Sequence, residues 1–190
     1  TDTVFEIGLT PNRIDAGSHY GVARDLAAYF AQSESKKLQM PSIEKFKEGD
    51  DSYKVDVQVE DTDACKRYTG LTIQGLRVDE SPKWLKEKLI AIGLNPINNV
   101  VDITNFVLHE LGQPLHAFDL ATLPTKSIEV RSAQKDERFI TLDDKEHVLS
   151  EGDMLITSGN IPVGIGGVMG GLNSEINEET SQVVIEYAHF

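Results

Sequence analysis

Residues 98–119, NNVVDITNFVLHELGQPLHAFD, contain the last helical pattern of the chain, and only strand patterns follow them. Asn98 or Asn99 can cap a helix, because a short polar side chain accepts the unpaired N–H groups of a first turn. Gly112 and then Pro114 end it, since glycine adopts the left-handed conformation that closes helices and proline cannot continue one. Between these signals the apolar residues recur at helical spacing, at Val100, Ile103, Val107, Leu108 and Leu111.

Two further helices precede this stretch. Apolar spacing predicts one from Ser18 to Phe30, capped by Asp15 or Ser18, and another that begins at Ser81-Pro82 and ends at Gly93. Strand patterns occur at residues 1–9, 53–59, 67–78, 127–131, 138–142, 147–149, 154–157, 161–168 and 182–188. Because helices and strands do not alternate regularly, the sequence predicts an α+β fold with mainly antiparallel β-sheets and about three packed helices.

The composition is that of an ordinary globular protein with an acidic excess. The 190 residues carry a formal net charge of -13, and 39% of them are hydrophobic. The charge weighs against a general nucleic-acid binder, because such proteins neutralise phosphates with Lys and Arg. No apolar run approaches the roughly 20 residues that span a bilayer. The single cysteine, Cys65, excludes an internal disulfide. We therefore expect a cytoplasmic protein that does not contact a membrane.

The chain divides by composition into three segments. Residues 1–32 are predicted to form a leading strand and helix. Residues 33–52 are polar, carry Pro41 and Gly49, and are predicted to form a surface connector. Residues 53–190 are predicted to form the core domain. The chain starts at Thr1 without an initiator methionine, so we expect it to be a fragment of a larger subunit.

A dense group of glycines is the most unusual feature of the sequence. Its spacing does not match the dinucleotide fingerprint, whose third glycine is replaced by Met169, and it lacks the Gly-Lys-Ser/Thr of a Walker loop. Two interpretations stay open: strands that are bulged or closely packed, or a backbone that a ligand approaches without an intervening Cβ atom. The glycines are Gly164, Gly166, Gly167, Gly170 and Gly171.

His109 and His116 superficially resemble a metalloprotease pair, since Glu110 follows the first of them. The His-Glu-x-x-His motif places its two ligands one helical turn apart, whereas Gly112 breaks the helix between these histidines. We therefore assign no metal ligand. His116 follows a helix end, where loops often carry function, and the alternative is a histidine hydrogen-bonded to backbone.

Glu186 lies within the apolar run VIEYA at residues 184–188. A carboxylate buried there without a partner would be costly, so it either faces solvent on the outer side of its strand or meets a donor or ligand. Because Glu is rarely buried, the residue pattern alone favours the solvent-facing orientation.

Three stretches together resemble the beta subunit of bacterial-type phenylalanine–tRNA ligases and span nearly the whole chain. The first comprises FEI, TPNR and GVAR, at residues 5–7, 10–13 and 21–24. The second comprises PINNVVDITN and LGQPLHAFD, at residues 96–105 and 111–119. The third comprises GVMGG, Ser174-Glu175 and IEYAHF, at residues 167–171, 174–175 and 185–190. One position departs from the family, because Asn95 stands where many members carry arginine.

The resemblance implies a sandwich-like α+β editing domain that hydrolyses tyrosine wrongly esterified to the tRNA for phenylalanine. Glu186 stands where the family's glutamate meets the tyrosine hydroxyl. Editing is useful because a hydrophobic site rejects an added hydroxyl by only about a hundredfold. The residues implied by position are Thr104 and His116 as catalytic, and Glu186, Gly170, Asn105 and Gly167 as substrate-binding.

The resemblance also implies partners and leaves alternatives. The partners are the acceptor end of the phenylalanine tRNA carrying an amino acid, and an alpha subunit reached through the rest of beta. No cofactor is implied for this fragment, whereas ATP and magnesium would serve charging by the whole ligase. The main alternative is a non-catalytic tRNA-binding or assembly scaffold of the same subunit. A free-standing hydrolase that shares only this domain is a third interpretation.

Overall fold

The computed structural model describes residues 3–34 and 36–190. Within these residues it contains three α-helices, which are α1 (His19–Phe30), α2 (Lys83–Ala91) and α3 (Asn99–Leu111). The same residues form ten strands: β1 (Asp56–Val59), β2 (Arg67–Gln74), β3 (His116–Asp119), β4 (Ser127–Ser132), β5 (Arg138–Ile140), β6 (Glu146–Val148), β7 (Met154–Ser158), β8 (Ile161–Ile165), β9 (Met169–Gly170) and β10 (Gln182–His189). The predicted α+β class with three helices is confirmed.

Side-chain caps and a glycine set the helix ends as the sequence predicts. Ser18 Oγ accepts a backbone N–H of the first turn at 3.0 Å and starts α1. Asn98 Oδ1 accepts the N–H groups of Val100 and Val101 at 3.1 and 3.0 Å and starts α3. At the other end of α3, Gly112 adopts a φ of 83°, a conformation that glycine reaches without steric strain. The chain therefore leaves α3 at a defined point, directly before β3.

Two sheets pack face to face and form the body of the domain. The larger sheet has the strand order β1-β4-β7-β8-β9, and the smaller has the order β2-β10-β3. β1 and β4 are parallel, whereas the other pairs in these sheets are antiparallel. The main core lies between the sheets, where Phe118 and Val184 of the smaller sheet meet Val130 and Ile156 of the larger one. The sandwich-like, mainly antiparallel arrangement is thus confirmed.

The two faces of the smaller sheet have different neighbours. Alternation along β10 directs Val183 and Ile185 to the outer face, where they share an apolar cluster with Val100 of α3. Val184 and Glu186 point the other way, toward the larger sheet. α1 and α2 both contact α3. The orientation of β10 therefore places a carboxylate on the inner face of a sandwich.

Some elements differ from the sequence-based predictions. Residues 3–9 form no strand, so the leading strand predicted for residues 1–9 is wrong over the described residues, and residues 1 and 2 lie outside them. An alternating segment becomes a strand only when another strand pairs with its backbone. The segment after α3, expected as a loop, contains strand β3. The predicted strand 161–168 is β8 followed by the turn that leads into β9. β1 starts three residues later than predicted, and β2 ends at Gln74, before Gly75 with a φ of 73°. The segment boundaries after residues 32 and 52 stay predictions.

Candidate active site

A cavity of about 530 Å³ lies where β3 and β10 of the smaller sheet meet the β8–β9 hairpin of the larger one. This volume is in the range of sites that bind small molecules, which are usually apolar with a few placed polar groups. Phe118, Ile156 and Ile165 contribute apolar wall, and Glu186 and His116 contribute polar groups. The cavity therefore suits a small ligand that has an apolar part and a polar group.

Glu186 lies in the middle of β10 with its side chain between the sheets. It is paired with Gly70 of β2 on one side and with His116 of β3 on the other. Only 8% of its surface is exposed. The solvent-facing orientation that the residue pattern favoured is therefore wrong. Alternation along one strand separates its two faces but does not show that both will be covered, and here α3 covers one and the larger sheet the other.

The buried carboxylate has one bonded oxygen and one open oxygen. The Tyr68 hydroxyl donates to Glu186 Oε2 at 2.8 Å. Glu186 Oε1 forms no hydrogen bond within residues 3–34 and 36–190. Every side-chain oxygen that is fully enclosed within these residues has a hydrogen-bond partner, so Oε1 is not fully enclosed. Because Glu186 lines the cavity, we infer that Oε1 is open to it. Burial raises the pKa of Glu186 to about 7, while the hydrogen bond from Tyr68 acts in the opposite direction. A ligand that donates a hydrogen bond would stabilise the charged form of this group.

His116 lies directly across from Glu186, so the two side chains share one face of the smaller sheet. Its ring meets Phe118 edge to face, with the ring centroids 4.6 Å apart. Burial lowers the pKa of His116 to about 4, so the imidazole is neutral near pH 7. Its ring forms no hydrogen bond with any residue that the structure describes, which leaves it available to a ligand or water. The alternative of a backbone-bonded histidine is therefore wrong.

The glycine at position 170 is explained by the closeness of this histidine. A Cβ atom at Gly170 would lie 2.3 Å from His116 Nε2 and 2.5 Å from His116 Cε1, too close for any side chain. The β8–β9 hairpin can therefore pack against β3 only because residue 170 has no side chain. Close packing, one of the two interpretations of the glycine group, holds at this position.

Gly167 leaves both interpretations of the glycine group open, because a Cβ atom there would lie 3.3 Å from Phe190 Cδ2. It adopts a φ of 70° in the turn between β8 and β9, a conformation that favours glycine. It lines the cavity, and its N–H forms no hydrogen bond with a described residue. This N–H is thus available to a negatively charged or carbonyl oxygen of a ligand.

The cavity collects the four predicted residues described above but not Thr104 or Asn105. Thr104 is buried on α3, and its hydroxyl donates to the backbone oxygen of Val101 at 2.7 Å. Asn105 is half-buried on the same helix. Because α3 packs on the other face of the smaller sheet, the roles of these two residues stay predictions. Asn95 is exposed before α3 and does not line the cavity.

Tyr68 and Gln113 belong to the site, although sequence reasoning did not assign them to it. Gln113 lines the cavity, and its Nε2 donates to the backbone oxygen of Ala188 at 3.1 Å. Tyr68, Gly70 and Thr72 share the more buried face of β2. Nothing local shows that this face meets Glu186, because the pairing of β2 with β10 joins distant parts of the chain.

The described residues contain neither a metal-binding cluster nor a membrane-spanning helix. Among residues 3–34 and 36–190, no group of three or more His, Cys, Asp or Glu side chains could hold a metal ion. His109 lies on α3 and His116 on β3, so the two histidines do not form a pair on one helix. In the described part of the chain, no helix has the length and apolar character needed to cross a membrane.

Comparison with known proteins relates the chain to one group of sequences. Residues 64–190 match the model of the B3/4 domain. The chain is 47% identical over 191 residues to the phenylalanine–tRNA ligase beta subunit of Bacteroides thetaiotaomicron. It is 49% identical over 189 residues to the beta subunit from Geobacter metallireducens. Both matches cover 100% of this chain and 23% of the relative. The chain thus spans about a quarter of the length of these relatives.

A solved structure has a similar fold. It is an N-terminal fragment of the phenylalanyl-tRNA synthetase beta subunit from Pyrococcus horikoshii, with a TM-score of 0.52. The alignment covers 93% of this chain and 52% of that chain at 18% sequence identity. At this identity the likeness concerns the fold alone.

Proposed function

Since the chain belongs to the B3/4 domain family, we propose that it is the editing domain of a phenylalanine–tRNA ligase beta subunit. In this role it hydrolyses the ester that joins tyrosine, attached in error, to the phenylalanine tRNA. The relatives that match the full chain are such beta subunits, which supports this assignment. The observation that carries the activity is the buried carboxylate of Glu186, which keeps one open oxygen at an apolar cavity.

Recognition depends on the hydroxyl by which tyrosine differs from phenylalanine. The tyrosine ring lies against the apolar wall, which includes Phe118 and Ile156, and its hydroxyl donates to Glu186 Oε1. A phenylalanine ring leaves the carboxylate without this donor. An unpaired buried polar group costs about 1–3 kcal/mol, and a charged one costs more. The correct product is therefore spared while the tyrosyl ester is held.

Hydrolysis requires a positioned water molecule and a donor for the oxygen that becomes negative. His116 is neutral near pH 7, so it can orient water and accept its proton in part, although a pKa of about 4 makes it a weak base. The free N–H of Gly167 can donate to the carbonyl oxygen as the water attacks. The proton passes to the departing ribose oxygen, with the neighbouring ribose hydroxyl assisting. Thr104 as a catalytic residue and Asn105 as a substrate-binding residue are proposed from their positions in the family motif alone, because neither lines the cavity.

The proposed function also implies how the domain contacts the tRNA and the rest of the ligase. A net charge of -13 disfavours contact with the phosphates of a whole tRNA, so only the acceptor end enters the cavity and the tRNA body is held elsewhere. The remaining beta subunit connects the domain to the alpha subunit in the cytoplasm. The hydrolysis needs no cofactor, whereas charging by the whole ligase uses ATP and magnesium. A purely structural scaffold would need neither an open cavity nor a buried acid, and both features favour the hydrolase.

The test compares hydrolysis of tyrosyl and phenylalanyl esters of the phenylalanine tRNA by the complete ligase. We expect Glu186→Ala to reduce the preference for the tyrosyl ester by about a hundredfold, because the hydroxyl loses its acceptor. Glu178→Gln is the control, since it removes an exposed carboxyl that does not line the cavity. Equal and slow loss of both esters in all three proteins would contradict the hydrolase and support the scaffold.

A further inference from the structure

We propose that Tyr68 is the positioning residue of this site: it occupies Glu186 Oε2 and leaves Oε1 as the single acceptor for the substrate hydroxyl. The inference rests on the proposed function and deepens it, because it explains how one carboxylate recognises one hydroxyl. Tyr68 itself need not touch the substrate.

Strand pairing places the two side chains on the same face of the smaller sheet. Tyr68 of β2 is opposite Ala188 of β10, and Glu186 is opposite Gly70. The Tyr68 hydroxyl therefore reaches Glu186 along a diagonal of the sheet, a distance that a long aromatic side chain spans. The resulting bond from the hydroxyl to Oε2 is 2.8 Å long.

Tyr68 is about as deeply buried as Glu186, the carboxylate that it contacts. Only 9% of its surface is exposed, and it packs in the main core between the sheets. Its ring meets the ring of Phe190 edge to face, with the centroids 6.4 Å apart. Burial, and then the nearby Glu186 carboxylate, raise the pKa of Tyr68 well above its usual value, so the hydroxyl keeps the proton that it donates. The hydroxyl therefore donates to Oε2 when Glu186 is ionised.

This hydroxyl has no substitute at the site. Within residues 3–34 and 36–190, it is the only group that donates to the side chain of Glu186. A carboxyl group without this bond could rotate, and either oxygen could face the cavity. The bond also favours the charged carboxylate, which is the better acceptor for a phenolic hydroxyl. Loss of the Tyr68 hydroxyl should therefore weaken hydroxyl recognition without removing the acid.

Cys65, His116 and His189 are the other titratable groups close to Glu186. Cys65 precedes β2, and burial raises its pKa, while His116 of β3 has a pKa lowered to about 4 by burial. The facing β8–β9 hairpin contributes Ile165, Met169 and glycines to the cavity. Burial raises the pKa of Glu186 to about 7, and its contribution to a pH profile is read from the difference between Tyr68→Phe and the unsubstituted ligase, because both proteins contain His189.

The kinetic test uses the complete ligase with Tyr68→Phe, which keeps the ring and removes the hydroxyl. At about pH 7 we expect kcat/KM for the tyrosyl ester to fall by about 10- to 100-fold, with the phenylalanyl ester unaffected. The pH profile should move upward, because the hydrogen bond that lowers the pKa of Glu186 is gone, so the loss shrinks at alkaline pH. Tyr187→Phe is the matched control. Tyr187 lies next to Glu186 on β10, but its side chain points to the opposite face of the sheet and is partly exposed. An unchanged profile, or an equal loss on both esters at every pH, would overturn the role of Tyr68.

A second measurement separates this inference from the proposed function. Carbon-13 NMR of the Glu186 carboxyl group in the 190-residue chain follows its titration without any substrate. We expect the midpoint to rise in Tyr68→Phe and to stay unchanged in Tyr187→Phe. If the ligase shows no tyrosyl hydrolysis, the proposed function fails, and this titration alone decides whether Tyr68 controls Glu186. An identical midpoint in both variants and the unsubstituted chain would refute that control.

Discussion

Replacing Glu186 with glutamine should stabilise the chain at alkaline pH but not at acidic pH. Glutamine keeps the shape of the side chain and can still accept the Tyr68 hydroxyl, but it has no charge to bury. Burial raises the pKa of Glu186 from 4.5 to about 7. Ionisation of Glu186 therefore lowers the free energy of unfolding, and the substitution by glutamine abolishes this effect.

The magnitude follows from the proton bound in the folded and unfolded chains. Below about pH 4.5 the carboxyl is protonated in both states and its stability contribution is fully present. As the pH rises, the unfolded chain releases its proton first, so the free energy of unfolding falls until the folded carboxyl also ionises near pH 7. A pKa difference of about 2.5 corresponds to about 3 kcal/mol. The advantage of Glu186→Gln should grow by that amount between about pH 4.5 and pH 8.

Urea unfolding across this pH range measures the difference in the free energy of unfolding between the variant and the unsubstituted chain. Contributions of other titrating groups appear in both proteins and largely cancel in the difference. Glu178→Gln, which removes one exposed carboxyl outside the cavity, is the control for the loss of a negative charge. The same pH dependence for Glu186→Gln and Glu178→Gln would refute the reasoning, because it would mean that burial in the folded chain does not raise the pKa of Glu186.

Further substitutions test the rest of the site and the fold. Gly170→Ala should lower tyrosyl-ester hydrolysis by about tenfold or more, because its Cβ atom would displace His116, whereas Gly152→Ala, which meets no atom within 4 Å, should not. His116→Ala should lose most deacylation, by about a hundredfold, while its circular dichroism stays unchanged. The catalytic assignment predicts a similar loss for Thr104→Ala, and a near-normal single-turnover rate would remove Thr104 from the catalytic set. Asn98→Ala should cost about 1 kcal/mol and lower Tm by about 2–4 °C in a thermal melt, because α3 loses its cap.

The helices could be predicted from the sequence because their signals are local. Ser18 and Asn98 lie at the starts of α1 and α3, and Gly112 lies directly after α3, as their residue types indicate. A cap or a left-handed glycine acts within one turn, so the relevant interactions are all between near neighbours. The strands were predicted less well, since their hydrogen bonds are made with distant segments: residues 3–9 form no strand, and β3 was expected as a loop.

The candidate site could be predicted only in part. The motifs identified Glu186 and His116, and the structure brings both to one cavity. The residue pattern, by contrast, favoured the wrong face for Glu186, and Tyr68 was not assigned to the site. Both errors concern the same contact, because the surroundings of β10 depend on β2 and β3, which lie far from it in the sequence.

By itself, the sequence determined the fold class, the helix ends and the motifs that mark the family. Only the tertiary structure decided that Glu186 is buried, that Tyr68 bonds it, and that Gly170 makes room for His116. The physical reason is the range of the interactions. Periodicity and capping act between neighbours along the chain, whereas burial, pKa and close approach depend on which strand faces pack against each other.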